Sequence, residues 1–110
     1  MSRTIDPHEA IDYIIKNAGK FANARAERVY IEEYRKSLKA LLMQRSGQKV
    51  IAAQERDAYA HEEYAALLAG LREAVEVEEK LRWDLIAAQA RIEVWRSQEA
   101  TNRTQDKLAL

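Results

Sequence analysis

The sequence predicts an all-α protein: two long helices folded as an antiparallel hairpin, a short helix between them, and hairpins self-associating into an oligomer. Three observations predict it. Breakers are scarce, with three Gly and one Pro in 110 residues, so long stretches contain nothing to stop a helix. Ala, Leu, Glu, Lys and Arg are abundant, the composition of long helices and coiled coils. Apolar residues recur at spacings of 3 and 4, the period of a helix face rather than a strand. At this length the chain holds one domain at most. That domain is placed at residues 1–103, and the polar, unpatterned tail at 104–110 is expected to be disordered.

The first helix starts in "IDPHEA". Asp6 is a capping residue, Pro7 suits the first helical position, and Glu9 suits the first turn. Ile11, Ile14, Ile15, Ala18, Phe21, Ala22, Val29, Tyr30, Tyr34, Leu38, Leu41 and Leu42 carry the apolar pattern towards Arg45. The pattern softens around Arg25–Arg28. Gly19 is a point where the helix could bend or divide, because Gly costs about 1 kcal/mol against Ala in a helix interior. "SGQK" ends the helix: Gly47 suits a C-terminal cap, and Arg45 and Lys49 suit the negative end of the helix dipole. A short helix is expected over Ile51–Ala60. After His61, Glu62 and Glu63 favour the positive start of the second long helix.

That second helix has the clearest pattern. Alternating steps of 3 and 4 from Tyr64 pass through Leu67, Leu71, Ala74, Glu78, Leu81, Leu85, Ala88, Ile92, Trp95 and Glu99, and nine of these eleven positions are apolar. Such a repeat marks a seam that needs a partner helix, and the first long helix is the obvious one. Glu78 stands on the seam, where an acid can pair with a base across the interface and fix its register. Val75, Val77, Trp83 and Ile86 fall off the seam. A two-helix hairpin does not cover apolar residues on several sides, so they imply an interface between copies. The alternative is that the short middle helix covers them. Trp83, Ile86, Ile92 and Trp95 are the expected oligomer-interface residues.

The formal net charge is zero, yet the charges are split. Residues 1–50 hold ten basic and six acidic residues, and residues 51–110 hold eight basic and twelve acidic. Two readings stay open: a basic face for a polyanion with an acidic face for another partner, or two halves that pair with each other. Positive charge gathers in "YRKSLKALLMQRSGQK", where five of the sixteen residues are Lys or Arg and none is acidic. Arg35, Lys36, Lys39, Arg45 and Lys49 can meet phosphates. Tyr34, with Tyr30 and Phe21, offers a ring on which an unpaired base can stack. Cations interleaved with rings suit a single strand, and no helix-turn-helix or zinc-finger pattern offers major-groove readout.

Signatures of catalysis are missing. Without Cys there is neither a disulfide scaffold nor a Cys-based zinc site. "HEEYA" at His61 lacks the second His of a zincin motif, and no glycine-rich phosphate loop occurs. Glu76, Glu78 and Glu79 read as a solvated helix face rather than a metal site. No catalytic, cofactor-binding or metal-binding residue is therefore expected, and the chain is not expected to be an enzyme. No apolar run approaches the roughly 18–20 residues that span a bilayer, and the N-terminus lacks a signal-peptide core. A cytoplasmic location without membrane contact is expected.

"LKALLMQRSG", Leu38–Gly47, resembles a segment of the UvsY-like recombination mediators of T-even phages. Leu38, Lys39, Ala40, Leu42, Ser46 and Gly47 match in place. "RDAYAHEEY" and "EEKLRWDLIAAQARIEVWRSQ" are similar, more loosely, to the C-terminal half of that family, and the likeness runs from Ala18 to Arg103. The family's arginine two residues after the lysine is Leu41 here, and its two aromatic residues before the serine are Gln44 and Arg45. The resemblance implies a small helical oligomer that binds single-stranded DNA without strong sequence preference. It implies two protein partners, a RecA-family recombinase and the single-strand-binding protein that coats the strands on which the recombinase is loaded. It also implies a phage or prophage origin within a bacterial host cell. Lys39 matches the motif's lysine, a DNA-contacting candidate, and Lys36 and Arg45 are candidates to replace the missing arginine. Two other functional classes stand beside it: a structural coiled-coil adaptor, and a small phage regulator that binds a host protein through its acidic surface.

Overall fold

The structure, a computed structural model, describes residues 4–109. It is 92% helix, with no strand among the described residues. Three helices follow in order: α1 (Pro7–Arg45), α2 (Ile51–Ala60) and α3 (Glu62–Ala109). The two long helices pack against each other.

Asp6 opens α1 as its position predicts. Its Oδ1 accepts the backbone N–H of His8 at 2.9 Å and of Glu9 at 3.4 Å, satisfying donors that have no partner inside the helix. The helix runs through Gly19 without a break. It ends differently from the expectation. Gly47 has no positive φ, so it is not a left-handed cap. Instead the N–H of Ser46 donates to the carbonyls of Leu42 and Met43 at 3.1 and 3.2 Å. The Ser46 hydroxyl donates to Asp57 of α2 at 2.6 Å and accepts the N–H of Gln48 at 3.2 Å. Gln54 donates to the Gln48 carbonyl at 2.9 Å. Side chains of α2 thus fix this connection, and the left-handed geometry that favours glycine is not needed.

One residue separates α2 from α3. His61 is extended, at φ −71° and ψ 141°, and its N–H donates to the Ala58 carbonyl. Its Nδ1 accepts the N–H of Glu63 at 3.0 Å, so the imidazole caps α3. The acidic first turn, Glu62 and Glu63, follows directly. At its far end α3 continues to Ala109, so residues 104–109, expected to be disordered, are helical. No Gly or Pro follows Gly70, and extending an existing helix costs far less than starting one. Leu110, the last residue of the expected tail, lies outside the described residues.

The single domain expected from the sequence divides into two compact units. One comprises α1 from Ala22, α2, and α3 up to Glu79. Its core is Leu38, Leu42 and Ala58, with Met43, Tyr64 and Leu67 packed around them. The other comprises α1 up to Phe21 and α3 from Lys80. Here Ala10 and Ala88 are buried. Asn17 is buried too, and its amide donates to the Tyr13 carbonyl at 2.8 Å. Asp84 of α3 accepts from Lys80 at 2.9 Å. Its pKa is lowered by that bond first, with the Tyr13 hydroxyl of α1 adding to the effect.

Each of the eleven seam positions of α3 is buried or half-buried. The first helix is less simple. Its inward face runs Ala10, Ile14, Asn17, Phe21, Ala24, Arg28, Ile31, Leu38 and Leu42, all buried or half-buried. Ile11, Ile15, Val29, Tyr30, Tyr34 and Leu41 are exposed. The apolar residues of α1 therefore divide between an inward face and outward faces.

Gly19 has open space where a Cβ would stand. Gly19→Ala is expected to raise the unfolding free energy by about 0.5–1 kcal/mol, because it removes backbone freedom from the unfolded chain without a clash. Urea unfolding followed by circular dichroism measures this. A loss of stability would show that the site needs a bare backbone.

Candidate nucleic-acid interface

At 100° per residue, positions three and four apart on a helix are neighbours. Lys39 therefore adjoins both Arg35 and Lys36 on α1. Its ammonium lies 4.9 Å from the centre of the Tyr59 ring of α2 and 3.5 Å from Glu55 Oε1. Its pKa is raised, by Tyr59 first, against partial desolvation, with the Glu55 charge adding to the rise. The lysine stays fully charged at neutral pH. Tyr59 is half exposed and meets Tyr64 edge-on, with ring centres 5.2 Å apart. Three cations and an exposed ring thus share one part of the surface.

The remaining expected DNA contacts are dispersed. Arg45 donates to both carboxylate oxygens of Glu63, at 3.1 and 3.2 Å. Lys36 reaches Glu33 at 3.2 Å, and both side chains are mostly exposed. Arg35 and Lys49 are exposed, with no ion pair among the described residues. Tyr34 stacks on Tyr30 at 6.2 Å, their planes 6° apart. Five residues, or about 140° around the helix, separate Tyr34 from Lys39. The structure does not bring that ring to the cations; Tyr59 stands there instead. Tyr59 was visible only as part of "RDAYAHEEY", and nothing local marked it as lying against a residue twenty positions earlier.

Among the expected oligomer-interface residues, Trp83 is 57% exposed and Ile86 36%. The Arg82 guanidinium lies over the Trp83 ring, 4.9 Å from its centre. Ile92 and Trp95 are half-buried on the seam of α3. The short helix does not cover the off-seam residues: α2 buries Ala58, while Val75, Val77 and Trp83 remain exposed.

The acidic half of the chain does meet the basic half. Besides Lys39–Glu55 and Arg45–Glu63, Arg28 of α1 grips Glu78 of α3. Its Nε donates to Glu78 Oε2, its Nη2 to Oε1 at 3.0 Å, and its Nη1 to Glu32 at 3.0 Å. The Glu78 side chain is 9% exposed and that of Arg28 is 23%. The pKa of Arg28 is raised, by the bond to Glu78 first and that to Glu32 second. Glu78 thus has the basic partner that its seam position predicts.

Among the described residues, no group of His, Cys, Asp or Glu is arranged to hold a metal ion. No described helix is long and apolar enough to cross a membrane. No protein-family model, curated protein or solved structure matches this chain.

Removing one partner of a desolvated ion pair leaves the other without compensation, while replacing both with apolar residues does not. Glu78→Ala is expected to lower the melting temperature. The double variant Arg28→Met with Glu78→Leu is expected to recover it. Thermal unfolding of the native chain and the two variants checks this; a double variant as unstable as Glu78→Ala would remove the pair from its assigned role.

Proposed function

We propose that this protein is a recombination mediator that binds single-stranded DNA and helps load a RecA-family recombinase onto strands coated by single-strand-binding protein. The observation that carries the reading is the cluster of Arg35, Lys36 and Lys39 beside the exposed Tyr59 ring. Cations meet phosphates and the ring meets a base face, which is how single strands are held without sequence readout. The likeness of Leu38–Gly47 to the UvsY-like segment supports the same assignment, with Lys39 common to both arguments. Binding by one such cluster is weak. Several copies joined together add by avidity, so the reading calls for a homo-oligomer that kinks or wraps the strand. In this reading the chain breaks no bond; it weakens the grip of the coating protein and presents the strand.

A second reading has its own observation. Lys39 and Arg45 already have acidic partners in Glu55 and Glu63. An adaptor whose charges serve internal pairing would look the same at those positions. Exposed pairs of this kind contribute little to stability, so phosphates can compete for these cations. The two readings separate on DNA affinity.

Fluorescence anisotropy with labelled oligo-dT and a duplex of equal length, across a salt series, tests the proposal. Preference for the single strand and a steep fall with salt are expected. Lys39→Ala with Arg45→Ala should weaken binding and reduce the salt slope by about 0.7 per lost contact. Glu55→Gln with Glu63→Gln should tighten it, by releasing the same two cations. No binding at low salt would leave the adaptor as the better account.

A further inference from the structure

Within the unit that runs from Ala22 to Glu79, α1 has a second face turned away from its core. Asn23, Glu27, Tyr30, Tyr34, Ser37 and Leu41 follow one another at spacings of 4, 3, 4, 3 and 4, so they form one row along the helix. All six are exposed. Tyr30 is 65% exposed and Tyr34 41%. Their rings are parallel within 6°, with centres 6.2 Å apart, so a flat group stacked on one ring is parallel to the other.

The charge beside the rings is negative. Glu27 lies one turn before Tyr30 and makes no ion pair among the described residues. Glu33 lies one turn after Tyr30. It is shared with Lys36 at 3.2 Å, and both side chains are mostly exposed, so that pair is weak and an incoming cation can compete for the carboxylate. None of the six positions in the row is Lys or Arg. Carboxylates beside the rings disfavour a phosphate there, which separates these tyrosines from the strand proposed to meet Lys39 and Tyr59.

Rings with carboxylates at their edges suit a cation that is also flat. A guanidinium meets both: its face stacks on an aromatic ring, and its edge donates paired hydrogen bonds to a carboxylate. An ammonium is a compact, strongly hydrated charge and gains less from a ring face. The row spans eighteen residue steps, about 27 Å, with Leu41 as a further exposed apolar contact near one end. That length matches about eight residues of extended chain.

We propose that the outward face of α1 around Tyr30 and Tyr34 docks an arginine-bearing segment of a partner protein. The guanidinium groups stack on the two rings and are held by Glu27 and Glu33. The inference goes beyond the proposed function and does not need it, since a mediator and an adaptor can both use such a face. It is tested without DNA, so its failure and the failure of DNA binding are separate results.

The test is isothermal titration calorimetry at low salt, with an eight-residue peptide of alternating Arg and Ala as the probe and its Lys counterpart as the control. The arginine peptide should bind more tightly than the lysine peptide. Tyr30→Ala with Tyr34→Ala should weaken its binding about tenfold, whereas Tyr30→Phe with Tyr34→Phe keeps the ring faces and should bind like the native chain. Glu27→Gln with Glu33→Gln should weaken it as well. Glu73→Gln with Glu76→Gln, exposed acids of α3 outside the row, should leave it unchanged. All four pairs of substitutions change exposed side chains, and circular dichroism checks that each variant is as helical as the native chain. Failure of the arginine peptide to bind would overturn the proposal. So would equal affinity for the lysine peptide, or an alanine variant that binds like the native chain. Loss of binding in the Glu73 and Glu76 variant would move the peptide to α3 and overturn it too.

Discussion

The ion pair between Arg28 and Glu78 is the constraint around which the helical pairing is arranged. Both residues occupy seam positions where apolar side chains would pack without regard to register. Sliding α3 by one turn would still place leucine and alanine against apolar residues. It would also leave a largely buried carboxylate without its guanidinium, which is far more costly than a lost apolar contact. The two bonds from Arg28 to Glu78 therefore select one alignment among several of similar packing. Glu32 holds the third side of the guanidinium and fixes its rotamer.

From that alignment the connection between α1 and α3 follows. The register places Arg45 beside Glu63 and brings α2 back over Leu38 and Leu42 through Ala58. Ser46 and His61 close the two ends of α2, one through Asp57 and the other through the N–H of Glu63. Lys39 consequently lies over Tyr59, and the basic end of α1 becomes a surface of mixed cations and rings. On the basic side Arg28, Lys36, Lys39 and Arg45 are thus held in pairs, while Lys16, Lys20, Arg25, Arg35 and Lys49 have no ion pair among the described residues.

The same economy of packing leaves much of the chain uncovered. A seam one residue wide buries small side chains, and large ones such as Trp83, Ile15 and Tyr30 stay outside. A helical chain of this size cannot draw much stability from so small a core. Its exposed faces are where partners would add to it.

The architecture was legible because helical periodicity is a local property. The seam of α3, the bounds of α2 and the cap at Asp6 depend on residues within a few positions of one another, and each could be read directly. The inward face of α1 was obscured, since Asn17 and Arg28 occupy two of its positions while Ile15 and Tyr30 lie outside. A polar seam residue is recognisable only when its partner is known, and the partner of Arg28 is fifty residues away. The helical continuation past residue 103 was missed because a polar stretch without breakers has the same local signal in a helix as in a frayed tail. Sequence by itself determined that the chain is helical, where its helices divide, and that its two halves carry opposite charge. Tertiary structure alone decided which cations are paired, which ring stands beside Lys39, and which apolar residues remain exposed, because each depends on the register between helices far apart in the chain.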